Sequence, residues 1–417
     1  MEQNNIQKES LWKPNFLLLW QGQFVSTMGD IVYEVALGFW ILAVTGSTAL
    51  MGTLMAASTL PRIIISPFAG VVVDRIDRKQ LMILMDIIRG VFIVLVGISA
   101  LTGFIQIWMV FTVGVILGIC GAFYSPGVNS VIPDIVDPSK LMSANSAFGM
   151  IQSGSSILGN SVGGFIYQVF GAPIMFLFNG ISYIVSSFAL FFIKIPKTHR
   201  VVEQHFWADM KEGYSFVWSF RGLRYLLIIA SLLNFLSSVA IVLFLPLFQQ
   251  TENLGPGRYG IAMALVTTGM FCGMIITSVI KIPPSLRMKI FVLGFLVSSV
   301  CFATAGQILL YPVLLIVLFF GGIGLAITNV FIHSTIQLTV PQDKRGKVFS
   351  LIQMVSQGLT PIAMAIGGVL GEFIPIRLII TSCFTLQMIG FIPFLFFVPF
   401  IRFIKFDPAK ETVVDIM

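Results

Sequence analysis

Twelve apolar stretches, each long enough to cross a bilayer, follow one another along the chain: 16–44, 49–72, 81–101, 105–125, 143–169, 174–193, 223–249, 257–280, 289–306, 311–337, 348–371 and 376–400. A spanning helix needs about 20 predominantly apolar residues. Of the 417 residues, 57% are hydrophobic and 10% charged, against the roughly 25% charge typical of a soluble domain. Disorder, coiled coil and a soluble enzyme are excluded on that ground. The stretches are continuous and do not alternate, which argues against an outer-membrane barrel. An all-α multi-pass membrane protein is expected, its first stretch a retained helix and not a cleaved signal.

Lys and Arg set the orientation. With the amino terminus inside, 21 of the 25 fall on cytoplasmic joints and tails, from Lys8 and Lys13 to Lys405 and Lys410. Only Arg258 and Arg377 fall outside, while Arg62 and Arg89 lie in or at the edge of spans. Both termini are expected in the cytoplasm of a cell bearing this protein in its plasma membrane. The net charge of +7 then reads as an orientation signal with some attraction to anionic lipid heads, and a nucleic-acid partner is not expected.

The longest joint, Lys194–Gly222, divides the spans six and six. Shifting the sequence by 204 residues lays Gly118 on Gly322, Lys140 on Lys344 and Gly154 on Gly358; it also lays Gly163-Gly164 on Gly367-Gly368. One constant offset over matching spans predicts two related halves in parallel orientation: 1–193, a linker at 194–222, and 223–417. In the linker, Phe206, Trp207, Met210, Tyr214, Val217 and Trp218 recur at helical steps, which predicts an amphipathic helix in the cytoplasmic interface. His199 and His205 lie in the polar part of that linker and carry no reading.

Between the second and third stretches stands Gly70-Val-Val-Val-Asp74-Arg75-Ile-Asp77-Arg78-Lys79. A positive-inside loop accounts for Arg75, Arg78 and Lys79 but not for the spaced Gly70 and Asp74. This string resembles the loop signature of the major facilitator superfamily, G-x-x-x-D-R-x-x-R-K, with every element in place. The joint from Lys281 to Lys289 keeps basic residues but has no matching Asp. The resemblance implies a bundle of twelve transmembrane helices in two six-helix halves, working as a transporter. Further strings look like the branch holding macrolide-efflux and enterobactin-export permeases: Gly29-Asp30, Leu60-Pro61-Arg62, Asp86-Ile-Ile-Arg89, Phe123-Tyr124-Ser125-Pro126 and Ala144-Asn145. That branch often carries an acid in span six where this chain has Asn179, so no role for that acid carries over.

Charges inside the hydrocarbon point to function, because each costs about 2.5–3.5 kcal/mol at a helix centre on insertion scales. Asp30 falls near the middle of the first span, with Glu34 one turn on along the same face. Two carboxylates that close cannot both ionise cheaply in a dry cavity, so one is a candidate to take up a proton. Asp30 reads as a proton-coupling or cation-binding group, or else as a structural partner of Arg62 or Arg89. Arg62, behind Pro61, is expected in a buried ion pair. Asp86 and Arg89 are expected in a cytoplasmic gate with Gly70, Asp74, Arg75, Arg78 and Lys79. In span ten, Asn329, His333 and Gln337 share a face, either a polar cavity wall or a satisfied helix contact. Asn234, Gln353 and Gln357 invite the same two readings.

Cys120, Cys272, Cys301 and Cys383 lie in apolar stretches without metal-ligand spacing, and no nucleotide loop or nucleophile motif appears. No cofactor, metal or enzymatic activity is expected. The function expected is export of a small amphiphilic compound, drug-like or siderophore-like, by a monomer exchanging it for protons. Symport or facilitated passage of a metabolite is the alternative. A sensor or scaffold would have no use for Asp30 and Glu34 at mid-membrane.

Overall fold

A computed structural model of the chain describes residues 11–195, 206–280, 282–341 and 344–406. Among them the ordered structure is helical. The first half holds α1 (Pro14–Thr45), α2 (Thr48–Arg75), α3 (Arg78–Leu101), α4 (Ile107–Ile135) and α5 (Leu141–Phe192). A linker helix, α6 (Phe206–Ser219), follows. The second half holds α7 (Arg221–Ile241), α8 (Phe244–Gln250), α9 (Gly255–Val279), α10 (Pro284–Ala305) and α11 (Tyr311–Thr339). It continues with α12 (Arg345–Gly358), α13 (Thr360–Phe373), α14 (Ile376–Phe391) and α15 (Val398–Lys405).

Eleven segments among the described residues are long and apolar enough to cross a membrane, one fewer than the twelve expected. The difference lies in α5. Its 52 residues would reach about 78 Å at 1.5 Å per residue, far beyond a hydrocarbon core of about 30 Å. Gly171 breaks it with φ 72° and ψ 178°, a conformation that suits glycine, and Pro173 follows. The neighbours show the reversal. Before the break, Gly159 and Gly163 pack on Ile31 and Val35 of α1; after it, Asn179 and Ser186 pack on Gly29 and Gly22. The two limbs of α5 therefore run in opposite directions along α1.

Elsewhere the expected spans are subdivided. The stretch at 223–249 is α7 plus α8, and that at 348–371 is α12 plus α13, parted at Leu359. The last stretch ends earlier than expected, at Phe391. It is followed by a 3-10 turn and the short α15, whose Phe400, Phe403 and Ile404 are buried while Arg402 and Lys405 occupy its last turn. Gly222 makes room for the Phe403 ring. The linker helix α6 docks through Val217, with Tyr214 and Trp218 exposed and stacked at 5.3 Å, as an interfacial helix requires.

One end of the bundle carries Lys13, Lys79, Lys194 and Arg287 and is called the basic end; the other is the far end. At the far end the core is continuous across the halves, with Val32, Phe39, Leu54 and Phe176 in one cluster with Val239, Leu243, Phe248 and Ala363. Toward the basic end it divides. Phe16, Met82, Tyr124 and Val131 form one cluster, and Leu223, Phe291, Phe331 and Phe400 another.

The seams between the halves follow the 204-residue repeat. A Cβ on Gly164 of α5 would stand 3.0 Å from Gly260 Cα of α9 and still nearer Pro256 O. Its repeat mate, Gly368 of α13, would place one 2.9 Å from Gly52 Cα of α2 and 2.5 Å from Thr48 O. Small residues let the backbones meet. Toward the basic end, Gly154 of α5 and Gly358 at the end of α12 face open space. The halves therefore touch at the far end and splay toward the basic end.

Candidate functional site

The central polar site is built on α1, where Gly22, Ser26 and Gly29 form a buried small-residue stripe. A Cβ on Gly29 would lie 2.5 Å from Ser182 Oγ and 2.6 Å from Asn179 Oδ1, so α1 lies directly against the second limb of α5. That limb presents Asn179, Ser182, Tyr183 and Ser186, all buried. Asp30, the next residue on α1, is half-buried and accepts a hydrogen bond from Tyr183 Oη.

Behind that pair lies Arg89 of α3, only 5% exposed. Its guanidinium carbon sits 4.1 Å from the centroid of the Tyr183 ring and 4.2 Å from that of Tyr124, within range for cation–π attraction. Arg89 Nη2 donates to Asp86 Oδ1, one turn earlier on the same helix face. Asp86 is fully buried, with Tyr124 and Ser186 beside it. Gln23 of α1 donates to Tyr124 Oη at 2.6 Å. Arg89 is thus bonded to one carboxylate and a single tyrosine ring away from another. A buried cation requires such compensation, since removing one partner of a buried pair strands the other.

Asp86 and Arg89, expected with the cytoplasmic gate residues, lie buried inside the first half behind Asp30. The reason is helical phase: Met82, Asp86, Arg89, Gly90 and Ile93 share the buried face of α3, and Gly90 packs on Gly180 of α5. Arg62 also differs from expectation. It is exposed and makes no ion pair with Asp30 among the described residues. It lies on α2 below the Gly52–Gly368 contact, its Cδ 3.6 Å from where a Cβ on Gly121 of α4 would be. Glu34 is exposed, one turn from Asp30 toward the far end.

Asn329, His333 and Gln337 are all exposed. They continue the α11 face that packs on α9 higher up, at Gly322 and Ala326, so this face turns toward open space as the seam ends. In the second half Asn234 Oδ1 accepts from Thr360 Oγ1 at 3.2 Å and from Ser238 Oγ at 3.3 Å, and Thr360 also approaches Gln357 Oε1 at 3.2 Å. The Gln353 side chain lies outside the described residues.

Of the loop motif, the side chains of Asp74 and Arg75 and the packing of Gly70 lie outside the described residues, as do His199 and His205. Asp77 caps α3 by accepting from Gln80 N. Arg78 pairs with Asp134 at 2.8 Å, and Lys79 donates to Phe191 O at 2.6 Å. These contacts tie the start of α3 to the ends of α4 and α5, within one half. Among the described residues no three His, Cys, Asp or Glu side chains gather as a metal would need.

Tyr183, Ser182, Ser186 and Gln23 are neighbours of this polar cluster that the sequence does not single out. A signal was available: Asn179, Ser182, Tyr183 and Ser186 recur at three- and four-residue steps inside an apolar span. In the sequence Tyr124 stands out only as part of the string Phe123-Tyr124-Ser125-Pro126.

The arrangement is a half-buried carboxylate near the middle of α1, backed by a buried charge network, beside the space between the two halves. Similarity to known proteins accords with it. The macrolide efflux protein A of Streptococcus pyogenes is 26% identical over 392 residues, covering 89% of this chain and 93% of that protein. A bacterial homologue of the iron transporter ferroportin, solved in an inward-facing state, superposes with a TM-score of 0.67 at 17% identity, over 92% of this chain and 99% of the other. A bacterial homologue of the human lysosomal transporter Spinster, inward-facing and unoccupied, gives 0.65 at 14%, over 94% and 98%. The Major Facilitator Superfamily family model matches residues 19–364, and with that match over most of its length the chain belongs to this superfamily of transporters.

Proposed function

We propose that the protein exports a small amphiphilic compound, drug-like or siderophore-like, in exchange for protons. The observation that carries this reading is Asp30: a half-buried carboxylate at the centre of α1, hydrogen-bonded by Tyr183 and next to a splayed space. An antiporter needs one group that either holds a proton or answers the substrate, and an acid held at that depth is suited to the choice. Glu34 and Arg62 edge the same space and belong to the proposed cavity, with Asn329, His333 and Gln337 supplying hydrogen-bonding groups from the other half. Efflux activity in the name of a full-length relative supports the direction.

In this reading the basic end faces the cytoplasm of a plasma-membrane monomer, and the structure is the state open to the inside. Alternating access then requires the far-end seams to part while the basic end closes. Purified protein in proteoliposomes, given a panel of amphiphiles that includes macrolides, should move at least one compound against its gradient only when a pH gradient is imposed. Movement that ignores the pH gradient would replace antiport with facilitated passage.

Orientation is tested separately. Cysteines introduced at Gln106 and Asn253, in a background with the four native cysteines replaced by serine, should react with an impermeant thiol reagent added outside cells. Cysteines at Gln80 and Ser139 should not. The skew of 21 basic residues to 2 motivates the expectation, and reversal of both sets would invert the topology.

A further inference from the structure

We propose that Glu372 is a charged latch that holds the two halves together at the far end by capping a helix belonging to the other half. The amino terminus of a helix leaves unpaired N–H groups and partial positive charge, which a carboxylate satisfies well. In α2 the local cap is Ser47, whose Oγ accepts from Leu50 N at 3.1 Å. Ser47 then spends its own hydroxyl proton on Glu372 Oε1, at 2.5 Å, and Ala49 N donates to the same oxygen at 3.0 Å. Glu372 lies near the end of α13, more than 320 residues away and in the opposite half. Beside it Thr48 Oγ1 donates to Gly368 O at 2.8 Å, in a buried contact. All three of these bonds cross the boundary between the halves, and all three must break when the far end opens.

The repeat supplies an internal comparison. Gly164 and Gly368 are mates at an offset of 204, and so are Gln168 and Glu372. Across the seams, Gly52 and Gly260 are mates at 208, and so are Ala49 and Gly257. Gln168 accordingly lies over the first turn of α9, its Oε1 2.5 Å from where a Cβ on Gly257 would be. One seam is therefore closed by a carboxylate bonded to a helix start, and the other by a neutral amide in the same place. The seam of Gln168 borders a far-end cleft of about 540 Å³ lined by Gln168, Gln249, Glu252, Asn253 and Arg258 among others. The backbones approach about equally closely at the two seams, so the carboxylate is what distinguishes them, and Glu372 sets how readily both part. This inference rests on the alternating-access reading but not on the cargo or its direction.

Hydrogen exchange on the purified protein, without any substrate, tests it. Glu372→Gln keeps the size of the side chain and removes the charge. Amides in the first turn of α2 (residues 49–53) should exchange about threefold to tenfold faster, and so should those in the first turn of α9 (257–261), which Glu372 does not touch. Faster exchange confined to α2 would reduce Glu372 to a local cap and overturn the latch, as would no change in either. Should Glu372→Gln fail to insert, Gln168→Glu asks the same question by gain: a second carboxylate at a helix start should slow exchange in both turns about threefold. Unchanged exchange in that variant would also overturn the proposal. Transport assays are not needed, so failure here is distinct from failure of the export reading.

Discussion

Asp30→Asn is expected to abolish uphill efflux driven by a pH gradient while leaving downhill exchange of the same compound within a few fold of the parent protein. The substitution keeps the shape of the side chain. An amide oxygen accepts the Tyr183 hydroxyl as a carboxylate oxygen does, so the contact between α1 and the second limb of α5 has no reason to fail. What disappears is the ability to exchange a proton, and with it the thermodynamic link between the two gradients. Arg89 keeps its bond to Asp86, so the buried cation is not stranded. Uphill transport should fall by a factor of ten or more, since a carrier that is always neutral at this position answers only the substrate's own gradient. Glu34→Gln should be milder, because Glu34 is exposed one turn nearer the far end. Wild-type uphill rates and pH dependence in Asp30→Asn would move the coupling elsewhere, with His333 the next group to replace. Loss of insertion would instead assign Asp30 a structural role beside Tyr183 and Arg89.

Much of the fold was legible because membrane helices announce themselves by length. The turn at Gly171 was also legible: a glycine and a proline two residues apart cannot continue a helix unbroken. The repeat offset likewise anticipated contacts, since Gly164 and Gly368 mark equivalent seams. The charged site was less legible. Whether Arg89 reaches a loop or turns inward depends on the phase of α3 against its neighbours, and sequence distance from the loop carries no such information. Arg62 was misplaced for a related reason: a residue inside a span is buried only where neighbouring helices cover its face, and Arg62 is exposed. Tyr183 was missed because aromatic residues are unremarkable in a lipid-facing helix, and only its polar company on one face distinguishes it. The α15 helix was hidden by continuous apolar composition, which does not show where a span ends and an interfacial helix begins.

The far-end seams lead to the second large effect. Replacing Gly164 and Gly368 together by valine should leave a protein that inserts but cannot close its far end, with transport reduced more than tenfold. The reason is that the obstructing atoms are backbone. A side chain on Gly368 meets Thr48 O and Gly52 Cα, and one on Gly164 meets Pro256 O and Gly260 Cα. Backbone atoms of a rigid helix cannot rotate away, and packed interiors tolerate little added volume. The halves can relieve the clash by separating, which populates the state open at the far end. A cysteine in place of Met55, just below the seam, should then react with an impermeant reagent from that side, in a background free of native cysteines. Each single substitution to alanine should give part of the same shift. The control lies nearer the basic end: Gly154 of α5 and Gly358 at the end of α12, also mates at 204, have nothing within 4 Å of an added Cβ, so Gly154→Val with Gly358→Val should leave both labelling and transport close to the parent. Normal transport with a protected Met55→Cys in the seam variant would show that the two glycine contacts are not what brings the halves together. Damage of equal size from both pairs would point to disturbed helices and not to the seam.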